Sequence, residues 1–596
     1  ELGYIVTWPE KIQDNEAVDR LRGAVDFWFL DDQMQTLAMI DSLHLFGLDR
    51  ALISLSGSWY APKDKGELID YINENGYLSS RYDIYTDVWP PDHPETPWYR
   101  TEGYPQDVIV NQDGSLRKGW LAYLQGNVPF QGYYTCSQTH ELYAEKWISE
   151  ELASQPYNCR FIDVELASSL TECYSPVHPI TRKDDAHYRT RLLQTVKSDF
   201  NLVTGSEEAH DWAFPTVDFG EGTMTMRPQD NAGYDWANPI TNPEADYARY
   251  NIEPDVRLPL HGLVYHDVHV PTWYTGDGQS KVPQFWEDKD LWNILYASMP
   301  LFAPPDRGYW QKNKEKYLTS YFLACSVFRE CGFEPMIDHQ FIDGRHEVQM
   351  TEFANGWKVV ANFSDAPIAW NEFMLAPKGC YAGNGRDVVY KIMNADNPTA
   401  VCCLADRLFI NPFGQAFEGY GIRTTGSLVL QKKADRLELA LIGNQKEFEI
   451  NPQKLPWQME SVRIYTHDNA EIKPEVRTDG WLRIIKQKRM PFYQIKGIFT
   501  TVEESQLDHP REYRLAVYPN PLNGRSRIIF SAPTSAPVTL RLYNILGKEI
   551  ETLFSGRLSA REQSLSLNSD GLATGIYFLD FAAADQRLTQ KMMVIK

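Results

Sequence analysis

Two acidic residues stand where apolar strands would be expected to end. The run Arg160-Phe-Ile-Asp163-Val-Glu165 closes an aromatic and β-branched stretch on an aspartate, and Thr204-Gly-Ser-Glu207-Glu208 closes another on glutamates. Carboxyls on two successive strand ends suit glycoside hydrolysis. One, ionised, attacks the anomeric carbon; the other, protonated, assists the leaving oxygen, and their environments set these opposite roles. In a retaining enzyme such groups lie about 5–5.5 Å apart. A lone Asp163 would read more plainly as a helix cap, and Glu207 with Glu208 as a solvated pair. Two acidic strand ends in register favour the catalytic reading, with Asp163 as nucleophile and Glu207 as acid/base. One residue of register decides which glutamate faces inward, so Glu208 is the rival of Glu207.

Other residues are expected at the same mouth. Trp59 follows the second strand in Ser56-Gly-Ser-Trp59-Tyr60, and Arg81, Asp83 and Asp87 lie along the third strand and its exit. Acids accept bonds from sugar hydroxyls while indoles stack on pyranose faces. Asp83 could instead be the buried partner of Arg81. His210 and Trp212, just past Glu207, could wall the acid/base and raise its pKa by desolvation. Tyr265-His266-Asp267-Val-His269 and Trp273 are read as a further strand exit, with His266 as a hydroxyl donor. His261, His266, His269 and Asp267 also invite a zinc reading and a metal-dependent hydrolase, but their spacing is not H-E-x-x-H. No metal and no cofactor are therefore expected. A serine nucleophile elbow and a phosphate-cradling loop are both absent from the sequence.

The elements that must hold these residues follow from periodicity. From about residue 20 to 335, short apolar runs at 24–30, 51–56, 81–86, 160–164, 201–205 and 261–266 alternate with helical patterns such as Lys65–Asn75 and Asp184–Asp199. Without a Gly-x-Gly-x-x-Gly turn after an early strand, that series predicts a (β/α)8 TIM-type barrel over 1–335, whose site lies at the C-terminal strand ends. Two long inserts, about 88–130 and 214–258, are rich in Pro, Gly, Trp and Tyr, as loops serving a site are. Over 336–505 strands recur about every ten residues, predicting a β-sandwich. A polar linker at 502–512 leads to a small Ig-like all-β module over 513–596. The fold class is thus multidomain: barrel, sandwich and a C-terminal module.

Composition narrows the partners. The 596 residues carry 58 Lys and Arg against 80 Asp and Glu, a net charge of −22, with no basic run. That excludes nucleic acid and anionic membrane as main partners. No apolar stretch is long enough to span a bilayer. Aromatics make up 13%, many beside Gly, Asp and Pro, which suits a carbohydrate substrate. The chain begins at Glu1, so it is expected to start after any signal segment. The cysteines (Cys136, Cys159, Cys173, Cys325, Cys331, Cys380, Cys402, Cys403) lack paired C-x-x-C zinc spacing and are expected to be structural. A non-catalytic glycan-binding surface protein would share the aromatic loops but would not require two acidic strand ends.

Two resemblances extend this reading. Tyr518-Pro-Asn-Pro-Leu, Leu542-Tyr-Asn-Ile-Leu-Gly-Lys, Gly571-Leu-Ala-Thr-Gly-Ile-Tyr577 and the final Lys591-Met-Met-Val-Ile-Lys596 resemble the type A C-terminal sorting domain of the type IX secretion system of Bacteroidetes-like bacteria. The likeness implies a bacterial protein, secreted or attached to the cell surface, that engages that machinery through 513–596. The strand-end Asp, the helix, the Thr-Gly-Ser-Glu strand end and then Thr351-Glu-Phe-x-x-Gly-Trp357 with Val360-Ala-Asn362-Phe look like glycoside hydrolase family 101 and its relatives. Those are endo-α-N-acetylgalactosaminidase-like retaining enzymes, in which the fourth strand supplies a nucleophilic Asp and the fifth a Glu acid/base. Asp163 and Glu207 match these positions. The chain departs from the family in a longer interval between the two acids and in lacking its large accessory domains.

Overall fold

The computed structural model describes residues 6–595 except 56–64, 92–99, 125–126, 226–244, 478, 487–491, 501–512, 519, 521, 523, 533–535, 559–561, 570 and 584–585. Eight parallel strands run in sequence order around one sheet: β1 Val25–Phe29, β2 Ala51–Leu55, β3 Leu78–Ile84, β4 Cys159–Asp163, β5 Val203–Glu207, β6 Phe219–Glu221, β7 Val270–Thr272 and β8 Leu301–Phe302. β8 pairs with β1, and Thr272 of β7 bridges in parallel to Met299 just before β8, which brings the sheet round on itself. The short strands are nearly continuous in apolar residues because both faces are covered, one by helices and the other by the barrel interior. Inward side chains include Trp28, Tyr82, Phe161 and Phe219, whose rings meet at centroid distances of 5.7–6.4 Å. Gly205 makes this layer possible. A Cβ there would lie 2.1 Å from the Phe219 ring.

The end of the barrel opposite the mouth is closed by the N-terminal helix Trp8–Asp14. Lys11 reaches in from it and, with Lys197, flanks buried Asp218 at 3.4 and 2.5 Å. Lys11 Nζ also donates to the Val217 and Val268 carbonyls, and its pKa falls to about 7 because burial penalises its charge.

Five of the six expected strands form close to their predicted bounds. The sixth does not: residues 261–265 lie in the helix Leu260–Tyr265, His266 caps its C-terminus, and β7 follows. Gly262 faces Met336, where a Cβ would come within 2.9 Å of the methionine methyl carbon, so close helix-to-strand packing overrides a locally β-like sequence. The segment 214–258 likewise contributes β6 to the barrel rather than forming a loop alone. The earlier insert is a three-stranded antiparallel sheet, Asp87–Val88, Lys118–Leu124 and Val128–Tyr134.

The last barrel helix ends at Cys331, and antiparallel pairing begins at Met336–Phe341. A long sheet from there to Phe492–Phe499 and a second sheet of five strands enclose a core of Leu408, Leu430, Leu439, Ile450 and Tyr493. Barrel and sandwich share one apolar core, with Phe322 stacked on Phe409 at 4.5 Å, and one ionic junction. There Asp49 meets Arg329 at 2.7 Å and Arg407 at 2.9 Å, and the two guanidiniums hold its carboxyl well below the usual range. Beyond Tyr513, three- and four-stranded sheets face each other over Ile528, Leu540, Leu579 and Met592. The expected linker at 502–512 lies outside the described residues. No helix among the described residues is long and apolar enough to cross a membrane.

Candidate active site

β4 ends at Asp163 and its neighbour β5 at Glu207, and the register pairing Phe161 with Gly205 turns both acids toward the barrel interior. Their carboxyls meet in a hydrogen bond. Burial, then the charge of Glu207, push the Asp163 carboxyl well above the usual range, and the charge of Asp87 adds to this. Opposing that rise, the Tyr82 hydroxyl donates to Asp163 Oδ2 and favours its ionised form.

The backbone turns sharply straight after each acid. Val164 has φ +63° and Glu208 φ +58°, left-handed conformations that are strained for any side chain and most of all for a β-branched one. Both turns are held in place. The Glu165 amide donates back to the Asp163 carbonyl at 2.7 Å, the Glu165 carboxylate faces His140 Nδ1 at 3.1 Å, and Arg189 donates to the Glu165 carbonyl at 2.8 Å. The Glu208 amide donates to the Glu221 carbonyl at 2.5 Å. With Gly205 and Glu207 inward, Glu208 falls in the turn beyond the strand and stays half-buried there.

Three more acids surround the pair. Asp87, buried beside the third strand's exit, accepts from the Thr86 hydroxyl at 3.1 Å, and burial lifts its pKa to about 7. Glu221 lies level with Glu207 in the sheet and accepts from the Thr275 amide and hydroxyl. Burial and the charge of Asp26 push it well upward. Asp26, deeper on β1, is raised by burial to about 8. Tyr82, Glu221 and Asp26 were missed from the sequence. Asp26 offered the same signal as Asp163, an acid inside the apolar run Ala24–Leu30; Glu221 offered none, because its strand is only Phe219–Glu221.

Because folding raises its pKa, Asp26 takes up a proton on folding, and its contribution to stability is lost as pH climbs from about 4 to about 8. Asp26→Asn removes that dependence. In thermal melts at pH 5 and pH 8, the variant should gain on the wild type at the higher pH; melting curves that shift in parallel would contradict this.

Several expected mouth residues lie elsewhere. Arg81 and Asp83 face the helical layer, not the mouth: Arg81 binds Glu151 at 3.0 Å, while Asp83 binds Arg160 at 3.3 Å and accepts from the Tyr85 hydroxyl at 2.8 Å. Strand alternation is the reason, since Tyr82 between them points inward. Trp212 stacks on His210 at 5.4 Å and packs against the helix-side cluster of Ile162, Leu166 and Phe214. His266 precedes β7 at the opposite end of the barrel from the mouth, with both ring nitrogens on backbone carbonyls, Glu334 O at 2.6 Å and Tyr296 O at 2.8 Å. It therefore has no nitrogen to offer a metal, and His261 and His269 pair with each other at 3.2 Å at that same end. Trp273 is fully buried, donates to Asn293 Oδ1 at 2.8 Å and carries Lys289 Nζ 3.8 Å above its ring, so it offers no face to a sugar. Trp59 lies outside the described residues. Of the expected set, the structure brings together Asp163, Glu207 and Asp87.

Behind Asp87 a cavity of about 670 Å³ separates the first insert from the loop after β4, lined by polar side chains including Thr86, Tyr134, His140, Thr171 and Arg182.

Comparison with known proteins agrees with the two resemblances. Residues 42–238 match the family described as glycosyl hydrolases related to GH101 family, GH129, and residues 516–596 match the secretion system C-terminal sorting domain. No curated protein matches the chain. Among solved structures, α-N-acetylgalactosaminidase NagBb from Bifidobacterium bifidum in complex with GalNAc is similar at 22% identity and a TM-score of 0.45, over 61% of this chain and 59% of that one. The cycloalternan-forming enzyme from Listeria monocytogenes is similar at 9% identity and 0.36, over 97% and 67%. The α-galactosidase TtGalA from Thermus thermophilus is similar at 12% and 0.33, over 50% and 61%. The chain thus spans about 59% of the length of the first of these.

Proposed function

We propose that the chain is a secreted retaining glycoside hydrolase acting on α-linked glycans, with α-N-acetylgalactosaminides as the first candidates. The observation that carries this reading is the buried contact between Asp163 and Glu207 at the ends of adjacent barrel strands, each followed by a strained turn. Carboxyls in hydrogen-bond contact are closer together than the roughly 6.5–9.5 Å of inverting pairs, which leave room for a water between them, and lie nearer to the about 5–5.5 Å of retaining pairs. In this mechanism the Asp163 carboxylate attacks the anomeric carbon as Glu207 gives its proton to the departing glycosidic oxygen. A covalent glycosyl ester forms and the first sugar alcohol leaves. Glu207, now a carboxylate, takes a proton from water, whose oxygen displaces Asp163 and restores both groups. Tyr82 orients the nucleophile and favours its ionised form, while the charge of Asp87 opposes it.

The GH101-related match over 42–238 supports the reaction class, and the GH101 resemblance supports the N-acetylgalactosamine reading. The sorting-domain match supports export through type IX machinery and release at, or attachment to, the cell surface. The test is a panel of aryl α- and β-glycosides and mucin-type O-glycans incubated with the purified full chain, with anomeric configuration followed by NMR. Release of an α-glycoside's sugar with its configuration initially retained is expected. Release of the inverted anomer would overturn the retaining mechanism. No turnover of any member, together with binding to a glycan array, would favour a glycan-binding protein.

A further inference from the structure

Away from the barrel mouth, three soft donor atoms converge. Cys136 ends the first insert, and Cys173 and His178 belong to the loop after β4. Their two sulfurs and a ring nitrogen lie within 4.8 Å of one another, and all three residues are buried. The cluster sits in an apolar shell of Ile109, Ile180 and Val110.

The hydrogen bonds around it orient all three donor atoms, and in the metal-free cluster the Cys136 thiol donates to the His178 carbonyl at 3.6 Å. His178 Nε2–H donates to the Gln106 carbonyl at 2.8 Å, which leaves a lone pair on Nδ1, 3.3 Å from Cys173 Sγ. A backbone carbonyl fixing the far nitrogen is how proteins orient a metal-bound imidazole. Each sulfur also accepts a backbone N–H, Cys173 from Val110 at 3.3 Å and Cys136 from Gln138. Such bonds favour the charged sulfur.

We propose that Cys136, Cys173 and His178 bind a Zn²⁺ ion whose fourth position is taken by solvent. A tetrahedral ion with Zn–S of about 2.3 Å and Zn–N of about 2.0–2.1 Å needs a sulfur-to-nitrogen edge of about 3.6 Å. The observed 3.3 Å is already close to that. Both thiol protons leave to solvent as the ion enters, so occupancy rises with pH. A divalent charge beside the two sulfurs favours their deprotonated form. The ion would pin the first insert to the β4 loop, the loop that carries Glu165 and flanks Asp163.

The test uses the full chain, stripped with a chelator under reductant, given excess ZnCl₂, desalted and analysed for metal. About one zinc per chain is expected, and CoCl₂ in its place should give a thiolate-to-cobalt charge-transfer absorption. The cobalt spectrum is read on the wild type, so it does not depend on any variant folding. Cys173→Ser and the Cys136→Ser/Cys173→Ser double variant should lose the zinc, whereas Cys325→Ser, a buried thiol bonded to the Ala24 carbonyl, should keep it. The proposal is overturned if the wild type retains no stoichiometric zinc, if the cobalt band is absent, if the double variant binds as well as wild type, or if the secreted protein carries a Cys136–Cys173 disulfide.

Discussion

Asp163→Asn leaves the chain folded and lowers turnover of its α-glycoside by about a thousandfold or more, equivalent to at least about 4 kcal/mol of transition-state stabilisation. The asparagine keeps the shape of the side chain and can still meet the Tyr82 hydroxyl, but it cannot form the glycosyl ester. The melting temperature separates this loss from unfolding. Asp163 is raised because burial and the Glu207 charge oppose its ionisation, so a neutral replacement removes the cost of ionising a carboxyl at that position. The variant should therefore melt at the wild-type temperature or above it, as groups kept for function commonly cost stability. Azide supplies the chemical check. With Asp163→Gly, azide fills the vacated space, attacks the anomeric carbon directly and yields the inverted glycosyl azide. Turnover surviving in Asp163→Asn, or azide failing to change the product, would remove Asp163 from the nucleophile's role.

Much of the scaffold was legible in the sequence because its signals were local. β1, β2 and β4 are compact, largely apolar runs, and the placing of Phe161 and Asp163, and of Gly205 and Glu207, on one face is written in the strands themselves. The helix expected over Asp184–Asp199 forms from Arg182 and continues as a wider π turn to Asp199, with Thr181 and Asp184 as a capping box that fixes its start. The antiparallel strands after Met336 were legible for the same reason. What could not be read were elements whose identity depends on distant partners. β6 and β8 span three and two residues, too short for any periodic signal, and exist because the barrel needs strands there to close. The run 261–266 carries β-type residues yet is helical because Gly262 lets it pack on Met336. Errors at the site follow from these. Once 261–266 was read as a strand, His266 fell at its exit, although the chain places it at the far end of the barrel. Arg81 and Asp83 were assigned to the mouth when the same alternation that points Tyr82 inward sends them out to Arg160 and Glu151.

Glu207→Ala should produce a different defect from Asp163→Asn, and that difference distinguishes the two roles. Removing a general acid costs about 10²–10⁴-fold where the leaving group needs a proton. Natural glycans and aryl glycosides with basic phenols should lose activity on that scale, while a dinitrophenyl glycoside, whose phenolate leaves unaided, should still form the glycosyl ester. Its breakdown then slows for want of a base, so a burst of phenolate followed by a slow steady state is expected. Azide, which needs no base, should restore turnover and give a glycosyl azide of retained configuration, opposite to the product from Asp163→Gly. The neighbouring glutamate provides the control. Glu208 sits in the left-handed turn beyond the strand, with its amide on the Glu221 carbonyl, so Glu208→Gln should remain within a few-fold of wild type on every substrate. A burst and azide rescue in Glu208→Ala but not in Glu207→Ala would transfer the acid/base role by one residue, and would mean that the strained turn after β5 presents its own side chain to the sugar.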